Sequence, residues 1–159
     1  MHPNAQLIQQ FYTCFQARDA AGMRDCYHPD IVFSDPVFGR LHGPEAGAMW
    51  QMLCSHADDL VLTVSRIQAD ANIGSAHWEA DYTYGKARRP VHNVIDAAFV
   101  FRDGLILQHT DTFDVWKWSR MALGPVGLLL GWTPMLQTSI RKSARQGLDA
   151  FIHKQLEGR

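Results

Sequence analysis

Four consecutive segments with a two-residue hydrophobic period constrain the fold of this chain more than any other feature. They cover residues 60–69, 73–84, 91–101 and 105–118, and short polar connections separate them. Alternation with this period is typical of β-strands with one buried face. Short connections join strands that run in opposite directions. The sequence therefore predicts a meander of four antiparallel strands.

The flanking regions have helical rather than strand periodicity. Apolar residues recur at helical spacing over residues 4–17, and Asp19 is a candidate N-cap for a short second helix. A short strand over residues 31–33 and a third helix over residues 44–56 come before the meander. A last amphipathic helix covers residues 134–156.

Helices followed by a run of strands predict an α+β domain, in which a curved antiparallel sheet wraps the N-terminal helices. The 159 residues are enough for one such domain with a substantial core. We assign residues 1–120 to this domain and expect residues 121–159, an apolar segment and the last helix, to pack on it. We expect residues 28–30 to end the second helix and residues 39–43 to form a turn. A sheet of this kind encloses a concave, mostly apolar pocket that suits a small molecule.

Composition and charge exclude several classes of protein. The net charge is −1, which provides no basic surface for nucleic acid. Eight histidines are scattered without paired ligand spacing, so we predict no metal site. Cys14, Cys26 and Cys54 form no C-x-x-C pair and lie among apolar residues of predicted helices. We expect buried, reduced thiols and a cytoplasmic location.

The most hydrophobic stretch covers residues 121–136, and glycines and prolines interrupt it. It is too short and too broken to span a bilayer, so we expect no stable membrane insertion. The N-terminus also has no basic start followed by an apolar core, so no secretory signal is predicted. For this stretch we favour a place at the mouth of the pocket or in a dimer interface over simple packing in the core, with weak membrane contact as a further alternative.

The last strand of the meander carries charge on an apolar face. Side chains two residues apart share a face, so His109 and Asp111 lie beside leucines and Phe113. Ionised carboxylates avoid cores unless they are paired, hydrogen-bonded or functional. The two residues therefore either form a satisfied pair within the core or face the pocket, which we favour. Asp114 has the opposite parity and is expected to point outward.

Five short segments follow one another along the chain, namely FQARD (15–19), YHPDIVFSDP (27–36), GPEA (43–46), FVFRDGLI (99–106) and HTDTFD (109–114). In this order they resemble the NTF2-like superfamily in its SnoaL-like branch, which includes steroid Δ-isomerases, limonene epoxide hydrolases and polyketide cyclases. The resemblance covers residues 4–118. It implies an NTF2-like (cystatin-like) cone, a hydrophobic small molecule as ligand, no cofactor and a homodimer.

Two functional positions follow from the resemblance. VFSDPV (32–37) matches the isomerase segment whose aspartate shuttles a proton, which implies that Asp35 is a general base. Alternatively, Asp35 only caps backbone amides in a turn with Pro36. TDTFD (110–114) is similar to the hydrolase segment whose first aspartate helps to activate water. The resemblance thus assigns an acid–base role to Asp111, and we place His109 beside it as its partner.

The other catalytic positions of these enzymes are not matched. The tyrosine donor of the isomerases falls on Phe11, one residue from Tyr12. Their second donor resembles Asp96, but counting back from the following turn gives Ala97. The Arg-x-Asp of the hydrolases corresponds to residues 79–81, where glutamate replaces the arginine. Neither catalytic set is complete.

The strand over residues 73–84 has two incompatible interpretations. Its even positions are apolar or aromatic and include Trp78 and Tyr82, whereas its odd positions include Glu79 and Asp81. Simple patterning places the aromatic set inside. The hydrolase alignment places the two acids inside instead. We favour patterning, because burying two acids without an arginine is costly.

The remaining predicted pocket residues are neutral. Asn93 lies on the inward face of its strand and is a candidate hydrogen-bond donor, or else a buried amide bonded to backbone. The predicted substrate-binding residues are Asn93, Phe33, Trp50, Phe113 and Tyr12.

These observations favour an isomerase or cyclase that uses acid–base chemistry on a hydrophobic substrate without a cofactor. Asp35 would be the base, Asp111 with His109 the second acid–base element, and Asn93 a polarising donor. The alternative is a non-catalytic NTF2-like domain for ligand binding or dimerisation, which the incomplete donor set favours.

Overall fold

The computed structural model describes residues 1–158 and confirms the α+β class. The elements are, in chain order, α1 (Pro3–Gln16), α2 (Ala20–Asp25), β1 (Tyr27–Asp35), β2 (Gly39–His42), α3 (Pro44–Ser55), β3 (Val61–Ala69), β4 (Ile73–Tyr84), β5 (Arg89–Arg102), β6 (Leu105–Thr112), α4 (Val115–Leu123), α5 (Pro125–Leu130) and α6 (Pro134–Glu157).

The six strands form one sheet in the order β2-β1-β6-β5-β4-β3. Strands β3 to β6 are the predicted antiparallel meander. One pair departs from the expectation, because β1 runs parallel to β6, with Phe33 opposite His109. A parallel pair needs a long crossover connection, and here α3 and the first three meander strands provide it.

The core lies between this sheet and the helices α1 and α3. Pro3 occupies the first turn of α1, and the side chain of His2 accepts a hydrogen bond from the Asn4 amide at the helix start. The buried face of α1 is aromatic and includes Phe11 and Phe15. Across the core, the inward residues of β4 and β5 are also apolar, apart from Asn93. The sheet therefore curves around an aromatic interior.

Two N-terminal expectations are wrong. Residues 28–30 do not end a helix but belong to β1, and Gly39–His42 is a strand paired with β1 rather than a turn. The connection is a tight hairpin in which the Asp35 carboxylate accepts hydrogen bonds from the amides of Val37 and Phe38, at 2.9 and 2.6 Å. These bonds provide the partners that a short loop would otherwise lack.

The last strand ends earlier than predicted, at Thr112. Asp114 then caps α4, because its side chain accepts a hydrogen bond from the Lys117 amide at 3.1 Å. The aromatic residues that suggested a strand as far as residue 118 instead form an amphipathic helix. Asp114 is exposed, as its parity predicted.

Strand β4 follows simple patterning. Trp78 and Ala80 are buried, whereas Asp81 is exposed and Glu79 is only partly covered. The interpretation that placed the two acids inside is therefore wrong. The aromatic side chains pack in the core, and the acids pair with histidines on the outer face.

The C-terminal helices pack on the sheet and on α3. Arg145 of α6 forms an ion pair with Glu45 of α3, and Leu148 of α6 is fully buried. Cys26 and Cys54 are buried as expected, whereas Cys14 is only partly covered. No helix within residues 1–158 is both long enough and apolar enough to cross a bilayer.

Candidate functional site

A cavity of about 670 Å³ opens between the concave face of the sheet and the helices α3, α4 and α6. Its wall is mostly aromatic and aliphatic. Two carboxylates on this wall, Asp35 and Asp111, and the amide of Asn93 are shielded from solvent, whereas the other carboxylate and basic lining residues are exposed, namely His56, Asp58, Asp59, Lys86 and Arg88. This size and composition are typical of pockets for small apolar ligands.

A chain of buried hydrogen bonds supports Asp111 from behind. Asp111 Oδ1 lies 3.0 Å from His109 Nε2, and His109 Nδ1 lies 2.8 Å from the hydroxyl of Tyr27. That hydroxyl accepts a hydrogen bond from the indole of Trp50, also at 2.8 Å. The chain joins β6, β1 and α3, so three elements together fix the position of one carboxylate.

With Asp111 ionised, the hydrogen bonds of this chain allow two proton arrangements. Because the Trp50 indole can only donate, the Tyr27 oxygen accepts there. In one arrangement the Tyr27 hydroxyl donates to His109 Nδ1, and a neutral His109 donates from Nε2 to Asp111. In the other, a protonated His109 donates from both nitrogens. Both arrangements keep a donor on Asp111, and they differ by one proton.

The two oxygens of Asp111 have different surroundings. Oδ1 also accepts a hydrogen bond from the indole of Trp78 at 3.4 Å. Oδ2 accepts no hydrogen bond from any residue of the described chain, 1–158, and it is not sealed from solvent. Asp111 lines the cavity although it is only 4% exposed. Oδ2 is therefore the atom available to a ligand.

Asp35 is the second carboxylate on the wall, at the end of β1. Its Oδ1 accepts both backbone hydrogen bonds of the β1–β2 hairpin. Burial and, to a smaller extent, the negative charge of Asp111 raise the pKa of Asp35 to about 7, against the opposing effect of those two amides. An aspartate with this pKa exchanges a proton readily at neutral pH.

The structure brings most of the predicted site residues together. Those on the cavity wall are Asp35, Asp111, Asn93, Phe33, Trp50 and Phe113. His109 is fully buried and lies behind Asp111, so any action on a ligand passes through that carboxylate. Tyr12 also lies behind the wall, packed against the rings of Phe11 and Trp78.

Tyr12 is an unusual buried phenol. Within residues 1–158, its hydroxyl is the single buried side-chain oxygen or nitrogen without a hydrogen-bond partner. Burial raises the pKa of Tyr12 well above its ordinary value, and the charge of Asp111 raises it further. The phenol therefore stays protonated, with its donor unused behind the carboxylate.

Sequence reasoning missed three contributors to the site. Tyr27 belongs to a segment that carried the resemblance, but its partner His109 is 82 residues away and no local pattern connects them. Trp78 was predicted to be buried without a polar role. Trp118 lines the cavity and donates to the hydroxyl of Tyr82 at 2.9 Å. A buried tryptophan needs an acceptor for its N–H, and this requirement was the signal that Trp78 and Trp118 offered.

No group of three or more histidine, cysteine or carboxylate side chains within residues 1–158 has the arrangement of a metal site.

Solved structures of similar fold cover most of this chain. An LEH-like epoxide hydrolase from M. tuberculosis has a TM-score of 0.63 and 20% identity, with 80% of this chain and 96% of that chain covered. TerC, crystallised with polyporic acid, has a TM-score of 0.65 and 19% identity, with coverage of 75% and 97%. A Jannaschia sp. CCS1 protein provisionally named a SnoaL-like polyketide cyclase has a TM-score of 0.67 and 12% identity, with coverage of 77% and 93%. At these identities the similarity shows a shared fold.

None of the curated proteins matches the chain. The family model described as a SnoaL-like domain matches residues 8–109, which is more than half of the chain and contains β1 and most of β6. The fold, the aromatic cavity and this match agree, and the chain belongs to the SnoaL-like domain family.

Proposed function

We propose that this protein is a cofactor-free acid–base catalyst that isomerises or cyclises a hydrophobic carbonyl compound. The observation that carries the proposal is the pair of carboxylates on one apolar wall, of which Asp35 has its pKa raised to about 7. A general base is most effective when its pKa lies near the working pH.

In the proposed reaction, Asp35 Oδ2 takes a proton from the carbon next to the substrate carbonyl. The C–H bonding electrons move into the carbonyl, and the resulting enolate oxygen accepts a hydrogen bond from the Asn93 amide, while the charge of ionised Asp111 keeps the pKa of Asp35 high. The backbone bonds to Oδ1 hold Asp35 in place during the transfer. His109 is a positioning residue, because it fixes Asp111 and does not reach the wall.

Two outcomes conserve the transferred proton. In an isomerisation, protonated Asp35 returns it to a different carbon of the conjugated enolate. In a cyclisation, the enolate carbon attacks a second carbonyl of the same molecule, and the new alkoxide takes the proton. Epoxide hydrolysis is less well supported, because Glu79 and Asp81 lie outside the cavity.

A non-catalytic ligand-binding domain is the second candidate. One observation favours it, namely that neither donor position of the steroid isomerases supplies a donor to the wall. Tyr12 and Phe11 are sealed behind it, Ala97 has no donor side chain, and Asp96 points outward. Asn93 is the predicted neutral donor on the wall, which also carries the hydroxyls of Tyr82, Thr83 and Tyr84.

Hydrogen–deuterium exchange of small ketones separates the two candidates. A panel of apolar cyclic ketones is incubated with the protein in D₂O, and loss of the proton next to the carbonyl is followed by ¹H NMR. We expect the wild type to accelerate this exchange for at least one ketone and Asp35→Asn to lose about 100-fold or more. Asp30→Asn, on the same strand but highly exposed, is the matched control and should keep full activity.

Ketones that bind without any acceleration of exchange would support the ligand-binding alternative. Equal acceleration by wild type and Asp35→Asn would overturn the assignment of the base. Binding itself is measured separately, by quenching of tryptophan fluorescence, because Trp50 and Trp118 line the cavity.

A further inference from the structure

The helix pair α4–α5 and the start of α6 carry an apolar surface that the site does not use. We name it the hairpin patch. Its residues are Trp116, Val126, Leu128, Leu129, Leu130, Trp132 and Met135. Leu129 is 68% exposed, Trp132 64% and Leu128 52%, which is far from the usual burial of these residue types. A contiguous apolar surface of this kind marks an interaction site.

Close backbone packing forces these large side chains outward. A Cβ atom on Gly127 would lie 1.9 Å from the backbone oxygen of Ser119, so the backbones of α5 and α4 touch at this point. Gly127 and Ser119 occupy the contact between the two helices. The leucines of α5 therefore lie on the side of the helix that faces away from α4. The exposure is therefore built into the packing of the hairpin.

Two tryptophans are fixed within the patch. The indole N–H of Trp116 donates to the backbone oxygen of Leu128 at 3.1 Å, and that of Trp132 donates to the backbone oxygen of Leu129 at 3.0 Å. Their polar atoms are satisfied internally while much of each ring stays exposed. Tryptophan is enriched where proteins meet the interfacial region of a bilayer.

The charge of this region has one sign. Residues 115–148 contain five basic residues and no acidic one. Arg145 pairs with Glu45 and Asp149, but the other four have no carboxylate within ion-pair distance among residues 1–158. They are Lys117, Arg120, Arg141 and Lys142. The guanidinium of Arg120 lies 4.7 Å from the ring centre of Trp116, so charge and apolar surface meet directly.

We propose that the hairpin patch docks this protein on an anionic phospholipid surface, with its leucines and tryptophans in the interfacial layer. Anionic phospholipid surfaces bind proteins that expose leucine and tryptophan side chains beside basic residues. A second copy of the patch fits less well, because a symmetric contact would bring the like charges of the two copies together. The docked helix α4 also forms part of the cavity wall through Trp118, so a ligand partitioned in the bilayer would meet the pocket beside the docked face.

Vesicle co-sedimentation tests this proposal with the full chain. At low salt, wild type should pellet with vesicles of phosphatidylcholine and phosphatidylglycerol, and much less with phosphatidylcholine alone. The double variant Leu128→Gln/Leu129→Gln should lose affinity about tenfold or more, since two apolar side chains no longer leave water. Lys117→Gln/Arg120→Gln should lose about thirtyfold on the anionic vesicles and little on the neutral ones.

Matched variants control for surface chemistry elsewhere. Val61→Gln removes an apolar side chain that is 63% exposed on β3, and Arg102→Gln removes an exposed charge on β5. Both should bind like wild type, and circular dichroism should show that every variant folds.

The proposal is overturned if wild type does not pellet with anionic vesicles, or if the leucine variant pellets equally well. It is also overturned if sedimentation velocity shows a dimer that the leucine variant dissociates while vesicle binding is absent. The ketone assay is independent of all these results, so docking and catalysis fail separately.

Discussion

The two faces of the sheet carry the same chemical pair, histidine with carboxylate, in opposite environments. On the concave face, fully buried His109 bonds to Asp111 among the rings of Phe11, Phe33 and Phe99. On the convex face, hydrogen bonds connect two histidines with three acids in a row across β4 and β5. The order in that row is Asp96, His77, Glu79, His92, Asp81.

The difference teaches what burial adds to an ordinary interaction. On the convex face, water replaces any partner that is removed, so each contact contributes little. On the concave face nothing replaces the partner, and the group left behind keeps the full cost of desolvation. Removing one member of the inner pair should therefore destabilise the fold strongly, whereas removing one member of the outer row should destabilise it little.

The largest expected effect is the removal of the inner histidine. His109→Ala leaves both Asp111 and the Tyr27 hydroxyl without their shared partner, and we expect a loss of about 3 kcal/mol in the free energy of unfolding. Urea unfolding followed by circular dichroism measures it. His92→Ala on the outer face, where the histidine side chain is 48% exposed, is the control, with an expected loss below about 1 kcal/mol. Similar losses for the two variants would remove the distinction between the faces.

The pH dependence of stability should show the raised pKa of Asp35. In the folded protein this carboxyl keeps its proton up to about pH 7, whereas its ordinary value is 3.8. Between these values the folded state binds the extra proton, so stability falls as pH rises, by at most about 1.4 kcal/mol per pH unit. Comparison of urea unfolding across this window with Asp35→Asn isolates the effect. A variant with the same slope as wild type would contradict it.

Replacement of the inner acid should change the site more than the fold. Asp111→Asn keeps an oxygen for the His109 donor and removes the charge, so we expect a stability loss of about 1 kcal/mol or less. Without that charge the pKa of Asp35 should fall below about 7, which a ¹³C NMR titration of its carboxyl measures. A variant that unfolds would assign Asp111 to the structure rather than to the pocket.

The smallest effect is expected on the outer face. Asp81 and Glu79 raise the pKa of His92 above its ordinary value of 6.5. The stabilisation from this pair is complete below that value and is lost as pH rises through the raised pKa. We expect His92→Gln to cost less than about 1 kcal/mol at low pH and less still in high salt. An NMR titration of His92 that does not change with salt would disagree with this assignment.

Local pattern was sufficient for the meander and for the inward position of Asp111. The two-residue period placed Trp78 inside, and parity placed His109 and Asp111 on one face. Both are properties of a single strand, which sequence alone determines well. Phe113, on the same parity, also reached the cavity wall.

Pattern failed where partners are distant in the chain or where a helix follows a strand. Nothing near Tyr27 indicates that its hydroxyl meets His109, because a parallel pairing between β1 and β6 creates that contact. The aromatic residues after Asp114 resemble a strand, yet they belong to α4, whose N-terminus Asp114 caps by accepting a hydrogen bond from the Lys117 amide. Tyr12 lies on the helix that the periodicity predicted, but behind the wall rather than on it.

The parallel pairing of β1 with β6 also has a consequence for the order of folding. Strands β3 to β6 join through short connections, whereas the residues that pair β1 with β6 are more than 70 positions apart in the sequence. Contacts of such long sequence separation form slowly, because loop closure comes before any gain from them. The hydrogen bond with Tyr27 that fixes His109 behind Asp111 forms only when that closure occurs. We therefore expect the carboxylate site to be completed in the final step of folding, together with the sheet itself.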